Sequence, residues 1–307
     1  MLQLHCEAFM TSVVKKIINN NLVKGAPKFL SNGPDYEVIM GSIAYGVEND
    51  VSDMDVYGFI VPPKEFVFPH LRGEIPGFDD AKPLFDQYQE HHIKDPSARG
   101  GKGRTYDFSI YSIVKFFKLL QENNPNIIDS LYVNDTHVLH ASEIGKMVRG
   151  NREVFLHKGC WAKFKGYAYA QVHKLKTKRP EGKRKKIIEE FGYDIKFAYH
   201  VVRLLNEVEQ LLLEGTMDLT KNCEQLKSIR RGEWSVERID QFFLEKEKQL
   251  EESFHKSELP SKPRNKEIKA LLFKCLEYKY GTIDQIVYQA SAAEDAIQQI
   301  KLIIDKV

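Results

Sequence analysis

Two short apolar runs, residues 36–40 (YEVIM) and 55–61 (DVYGFIV), are joined by GSIAYG, a polar turn, and then Ser52-Asp53-Met54-Asp55. Runs of this length, bounded by Gly, Asn, Asp and Pro, read as buried strands. The chain therefore starts a small sheet and sets an acidic pair on the first turn of its second strand. Side chains two apart on a strand share a face, so Asp53 and Asp55 point the same way. Carboxylates held that close repel one another unless a cation lies between them. Hard divalent ions such as Mg²⁺ are held by one or two carboxylates together with substrate phosphates. Gly41-Ser42 follows directly on the first strand. A glycine there lets the backbone come close to a phosphate, and N–H groups plus a hydroxyl supply donors.

A third acid, Asp107, falls in the next predicted strand, RTYDFSI. Three carboxylates on neighbouring strands can hold two metal ions, one activating an attacking hydroxyl and one stabilising leaving oxygens. Residues 66–104 are rich in Pro, Gly and charge, show little periodicity, and read as a long excursion between strands. Within it, His91-His92 reads as a surface pair, with a metal ligand or base as the alternative. SIVKFFKLLQ has helical spacing and ends at NNPN, where Pro125 stops the helix. The asparagines around Pro125 read as turn and cap chemistry.

Beyond about residue 140 helical patterns dominate, roughly 142–156, 161–177, 184–214, 220–229, 235–255, 265–279 and 282–305. The expected organisation is α+β: a small mixed sheet with helices on one face in residues 1–140, and a helical domain in 141–307 that closes a cleft over it. The net charge of +2 hides an asymmetry, because Lys146 to Lys186 contains fourteen Lys or Arg against two acids, a balance of +12. Such a block attracts phosphates. Its densest run is KRKK at 183–186. Trp161, Phe164, Tyr167 and Tyr169 interleave with it, at a spacing that fits a packed helix face better than base stacking. The four cysteines lack metal spacing and read as reduced thiols. No apolar run approaches the ~20 residues of a membrane span, and the expected location is cytoplasmic.

Strand, GS, about ten residues, SDxD, strand, and a later third Asp together resemble the polymerase-β-type nucleotidyltransferases. GSIAYGVENDVSDMDVYGF, YDFSIYSIVKFFKLLQENNPNIIDSLYV, FKGYAYAQVHKL, YDIKFAYHVVRLLNEVEQLLLEG and LKSIRRGEW are similar to its RlaP-type branch, which is associated with RNA repair. The resemblance implies that Gly41 and Ser42 contact a triphosphate and that Asp53, Asp55 and Asp107 bind metal, with Asp107 nearest the attacking hydroxyl. It implies two Mg²⁺ (or Mn²⁺) ions and a nucleoside triphosphate, ATP first among them. On the helix at 193–214, Lys196, His200 and Arg203 fall in a narrow polar arc beside an apolar one. That stripe is expected to face the cleft and grip phosphate. For the acceptor, an RNA 3′ end stands beside a protein or small-molecule hydroxyl, and beside these a non-catalytic nucleotide- or RNA-binding protein on the same fold.

Overall fold

The computed structural model describes residues 12–48, 52–67, 85–178 and 183–281. In chain order the elements begin with α1 (Val13–Asn19), β1 (Tyr36–Met40), α2 (Gly41–Ala44), β2 (Met54–Ile60) and α3 (Lys64–Val67). Then come β3 (Gln87–Asp95), the helical turn α4 (Ala98–Gly101), β4 (Arg104–Ser112), α5 (Ile113–Gln121), α6 (Pro125–Tyr132) and β5 (Val138–Ala141). The rest is helical: α7 (Glu143–Gly150), α8 (Gly159–Thr177), α9 (Lys183–Phe191), α10 (Ile195–Glu214), α11 (Cys223–Arg230), α12 (Val236–Lys256) and α13 (Asn265–Tyr280).

The five strands form one mixed sheet in the order β3-β4-β2-β1-β5. Only β2 and β4 run parallel, and their register sets Asp55 beside Asp107. Alternation divides the sheet into two faces. Tyr36, Val38, Met40, Phe59 and Tyr111 face the large helical layer and share one core with α5 to α13. Ile39, Met54, Val56, Phe108 and Ile110 line the opposite face under Val14 and Ile17 of α1. The sheet is thus covered on both faces, where helices on one face were expected. The expected domain boundary falls within β5, whose residues pair with β1.

Three local expectations change. The excursion at 66–104 contains β3, an edge strand whose burial is almost wholly exposed or intermediate. An edge strand facing water has no apolar alternation to betray it. Pro125 does not merely stop α5; it opens α6 at the first helical position, where a missing N–H costs nothing. The helix expected over 184–214 is two helices. Gly192 turns left-handed at φ +81°, and Asp194 then caps α10 by accepting from the Lys196 N–H. The pattern at 282–305 lies outside the described residues. Among the described residues no helix is long and apolar enough to cross a membrane.

Candidate active site

Where β1 ends, Gly41 adopts φ +67° and starts α2. A Cβ at that position would lie 1.8 Å from Asp55 Oδ2, so only glycine leaves this carboxylate its place. Asp55 and Asp107 sit side by side on the parallel β2–β4 pair, both on the face turned toward the helices. Asp53 precedes Asp55 by two and shares that face. Asp53, Asp107 and His92 each offer a ligand atom within 4.8 Å of the other two. The structure thus brings the three predicted acids together.

The electrostatics follow from the crowding. Burial pushes the Asp55 carboxyl up to about 6; Asp107 and Asp53 add to the rise, while Lys196 and His91 oppose it. A cation among these groups would remove the repulsion. The Asp53 and Asp107 carboxylates and the His92 imidazole form a donor set that fits a divalent ion, with the Asp55 carboxylate beside Asp107 on the neighbouring strand.

The histidines belong to this site through a bulge in β3 between Glu90 and Ile93. The bulge sets His92 at φ +58°, so that its N–H donates to Asp107 Oδ1 at 2.7 Å. His91 Nδ1 lies 3.6 Å from Asp107 Oδ2. The surface reading of this pair is right about exposure and misses its neighbour. The hairpin supplies the signal: Asp95 pairs with Arg104 and Ile93 with Tyr106, so counting back from the turn carries His92 to Asp107.

These groups open into a hollow of about 740 Å³. The strands β2 and β4 and the turn between β1 and β2 contribute Gly41, Ser42, Asp53, Asp55 and Asp107; α10 and α11 contribute Lys196, Tyr199, His200, Arg203 and Arg230. Of the polar stripe Lys196, His200, Arg203 and Glu207, the first three line the hollow, while Glu207 lies one turn on and pairs with Arg203, the i, i+4 contact that the stripe's spacing also allows. They differ in what they have left to offer. Lys196 is exposed and His200 half-buried. Arg203 is buried at the wall, where Nη1 donates to Asp129 Oδ2 at 2.6 Å, to Glu207 Oε1 at 3.1 Å, and to the Tyr45 hydroxyl. Its guanidinium also stacks 4.4 Å from the Tyr45 ring centroid. Burial works against the Arg203 charge, but Glu207, Tyr45 and Asp129 outweigh it and hold its pKa up. Burial likewise raises the Asp129 and Glu207 carboxyls. Arg203 therefore anchors α10 to α6 and to the strand–turn bearing Tyr45, and so fixes the wall of the hollow.

Asn123 is fully buried in a left-handed turn at φ +50°. Its side chain donates to the Leu120 and Phe155 carbonyls, which is the turn chemistry expected of that motif. Trp161 and Phe164 are buried in the main core, and Tyr169 donates to Glu247.

No curated protein and no solved structure matches the chain. A family model does, over residues 35–274, from just before β1 into α13. That span contains the sheet, the acids, the bulged histidines and the helical wall, and by it the chain belongs to RlaP, the RNA repair pathway DNA polymerase beta family.

Proposed function

We propose that the protein is a metal-dependent nucleotidyltransferase that moves a nucleoside monophosphate from a triphosphate, ATP first among them, onto an RNA 3′ hydroxyl. The observation that carries this reading is the meeting of Asp53, Asp55 and Asp107 at the mouth of a hollow whose far wall bears Lys196 and His200. Gly41 and Ser42 offer close backbone and a hydroxyl to the triphosphate at the end of β1. Lys196 and His200 offer positive charge to its oxygens from α10. Divalent cations held by Asp53, Asp55 and Asp107 would neutralise charge on the triphosphate and ease deprotonation of the acceptor hydroxyl. His92 adds a nitrogen donor, which first-row transition ions accept more readily than Mg²⁺ does.

In the reaction the acceptor oxygen attacks the α-phosphorus in line, the new P–O bond forms, and pyrophosphate leaves with the electrons of the broken bond. Asp107 stands to take the hydroxyl proton. Its orientation is fixed from behind by the His92 N–H. Catalysis rests on positioning and charge neutralisation more than on covalent chemistry.

The test is incubation with Mg²⁺ or Mn²⁺ and labelled triphosphates, with and without total RNA. Label on RNA that requires the divalent ion is the expected result. Label that appears on protein without RNA would overturn the RNA acceptor, and no transfer to anything would overturn the catalytic reading.

A further inference from the structure

A second hollow, of about 370 Å³, adjoins the first and meets it at Ser52 and Asp53. The β3–β4 hairpin builds the rest of it, with Lys94, Arg99, Lys102 and Arg104 among its lining. Two acids also line it, and neither cancels this charge. Asp95 has a side chain only 1% exposed and is bound by Lys16 at 3.0 Å and by Ser97, while Asp53 belongs to the catalytic cluster. Among the described residues no acid lies within ion-pair distance of Lys94, Lys102 or Arg104. Arg104 donates from Nη1 to the Met54 sulfur at 3.3 Å, and its buried Nε has no hydrogen-bond partner among the described residues.

Six of the fourteen cations in the basic block at 146–186 already have acid partners. Lys146 pairs with Glu143, Arg149 with Asp135, Lys163 with Glu122, Lys165 with Glu247, Lys176 with Asp240 and Lys185 with Glu189. The side chains of Lys183 and Arg184 lie outside the described residues. A cation already paired with the protein's own carboxylate must weaken that pair to meet a phosphate, so it gains less from a polyanion than an unpaired one. Lys94, Lys102 and Arg104 thus place three cations on the hairpin, beside the acids, with no acid at ion-pair distance among the described residues.

We propose that this hairpin hollow binds the backbone phosphates of the acceptor RNA strand just upstream of its reacting 3′ end. The proposal rests on the nucleotidyltransferase reading above. The triphosphate has its own cations on α10 and α11 in the first hollow. The acceptor hydroxyl must reach the acids, and its strand must leave by a route the triphosphate does not fill. The second hollow is such a route, since it touches the first at Asp53. Lys94 and Lys102 meet phosphates as mobile point charges, and Arg104 offers a fixed fork at the inner end.

The test uses the full-length protein and a single-stranded oligoribonucleotide, read by fluorescence anisotropy across salt. In Lys94→Glu/Lys102→Glu, RNA affinity is expected to fall at least about tenfold. The log–log salt slope should shrink by about 1.4, two contacts at about 0.7 each. Binding of a fluorescent triphosphate should stay within about twofold of wild type. Lys146→Glu/Lys163→Glu, which removes paired cations, should change RNA affinity less than about threefold. RNA bound equally well by the hairpin variant, or lost equally by the paired-cation variant, would overturn the hollow. Transfer assays separate this from the parent reading. Wild-type transfer to RNA with an indifferent hairpin variant removes the hollow alone. RNA binding that depends on the hairpin without any transfer keeps the hollow and removes the catalytic reading. A wild type that labels itself and binds no RNA removes both.

Discussion

Gly41 and Asp55 occupy one another's space, and the chemistry depends on that. A methyl at residue 41 would meet Asp55 Oδ2 at 1.8 Å in a left-handed backbone. The end of an aspartate can swing aside, so Gly41→Ala is expected to fold, at a cost of about 1 kcal/mol for the φ it must hold, while displacing the carboxylate. Transfer should drop at least about a hundredfold with a melting temperature lowered by only a few degrees. Asp55→Asn should separate the two effects in the other direction. Removing a crowded, mostly buried negative charge should raise metal-free stability by on the order of 1 kcal/mol while abolishing transfer. A destabilised Asp55→Asn, or one that still turns over, would refute the assignment. Asp53 and Asp55 are legible in the sequence because a spacing of two fixes their common face, and Asp107 joins them there through the family resemblance. His92 is legible only once β3 and β4 are paired as a hairpin, and β3 lacks the apolar alternation that would announce that pairing.

Glu37 ties an element to the sheet. It sits on β1, fully buried, and accepts from the Val13 and Val14 N–H groups at the start of α1 at 2.8 and 3.2 Å. Ser12, which caps the same helix through the Lys15 N–H, also donates to it at 2.5 Å. These donors favour the carboxylate, but burial dominates and pushes its pKa up to about 7. The folded protein thus holds a proton that the unfolded chain releases near 4.5. This contribution is fully present below that pH and is lost as pH rises toward 7. Stability should therefore decline across that window, by up to about 3 kcal/mol from this group at about 1.36 kcal/mol per unit. Asp55, raised to about 6, works in the same direction at the acid end. In Glu37→Gln the slope between pH 4.5 and 7 in urea melts should flatten; an unchanged slope would exclude Glu37 as its source. Elements with an apolar face, β1, β2, β4 and α10, are visible in the sequence through their periodicity. β3 carries only Tyr88 and Ile93 as apolar residues, on either side of its bulge, and the break at Gly192 interrupts an otherwise continuous helical pattern, so neither is legible from periodicity.

The molecule is held as one body around its larger core, which runs from Tyr36 on β1 to Cys275 on α13. The Tyr280 hydroxyl, at the end of α13, returns to donate to the Pro62 carbonyl just past β2. Fold class is readable from the sequence at this scale because a change of texture near residue 140 separates strands from helices. The charge map is not, since four cations of the basic block, Arg149, Lys163, Lys165 and Lys176, find acids distant along the chain only once it has folded. The β3–β4 hairpin carries both Lys94, at the proposed strand route, and His92, two residues earlier at the acids. Whatever orders that hairpin at one end orders it at the other. Cation and acceptor should therefore be partners in a cycle: RNA should tighten Mn²⁺ binding by the same factor by which Mn²⁺ tightens RNA binding, on the order of five- to tenfold. Measured by electron paramagnetic resonance on one side and anisotropy on the other, the two factors should agree, and both should collapse toward unity in Lys94→Glu/Lys102→Glu.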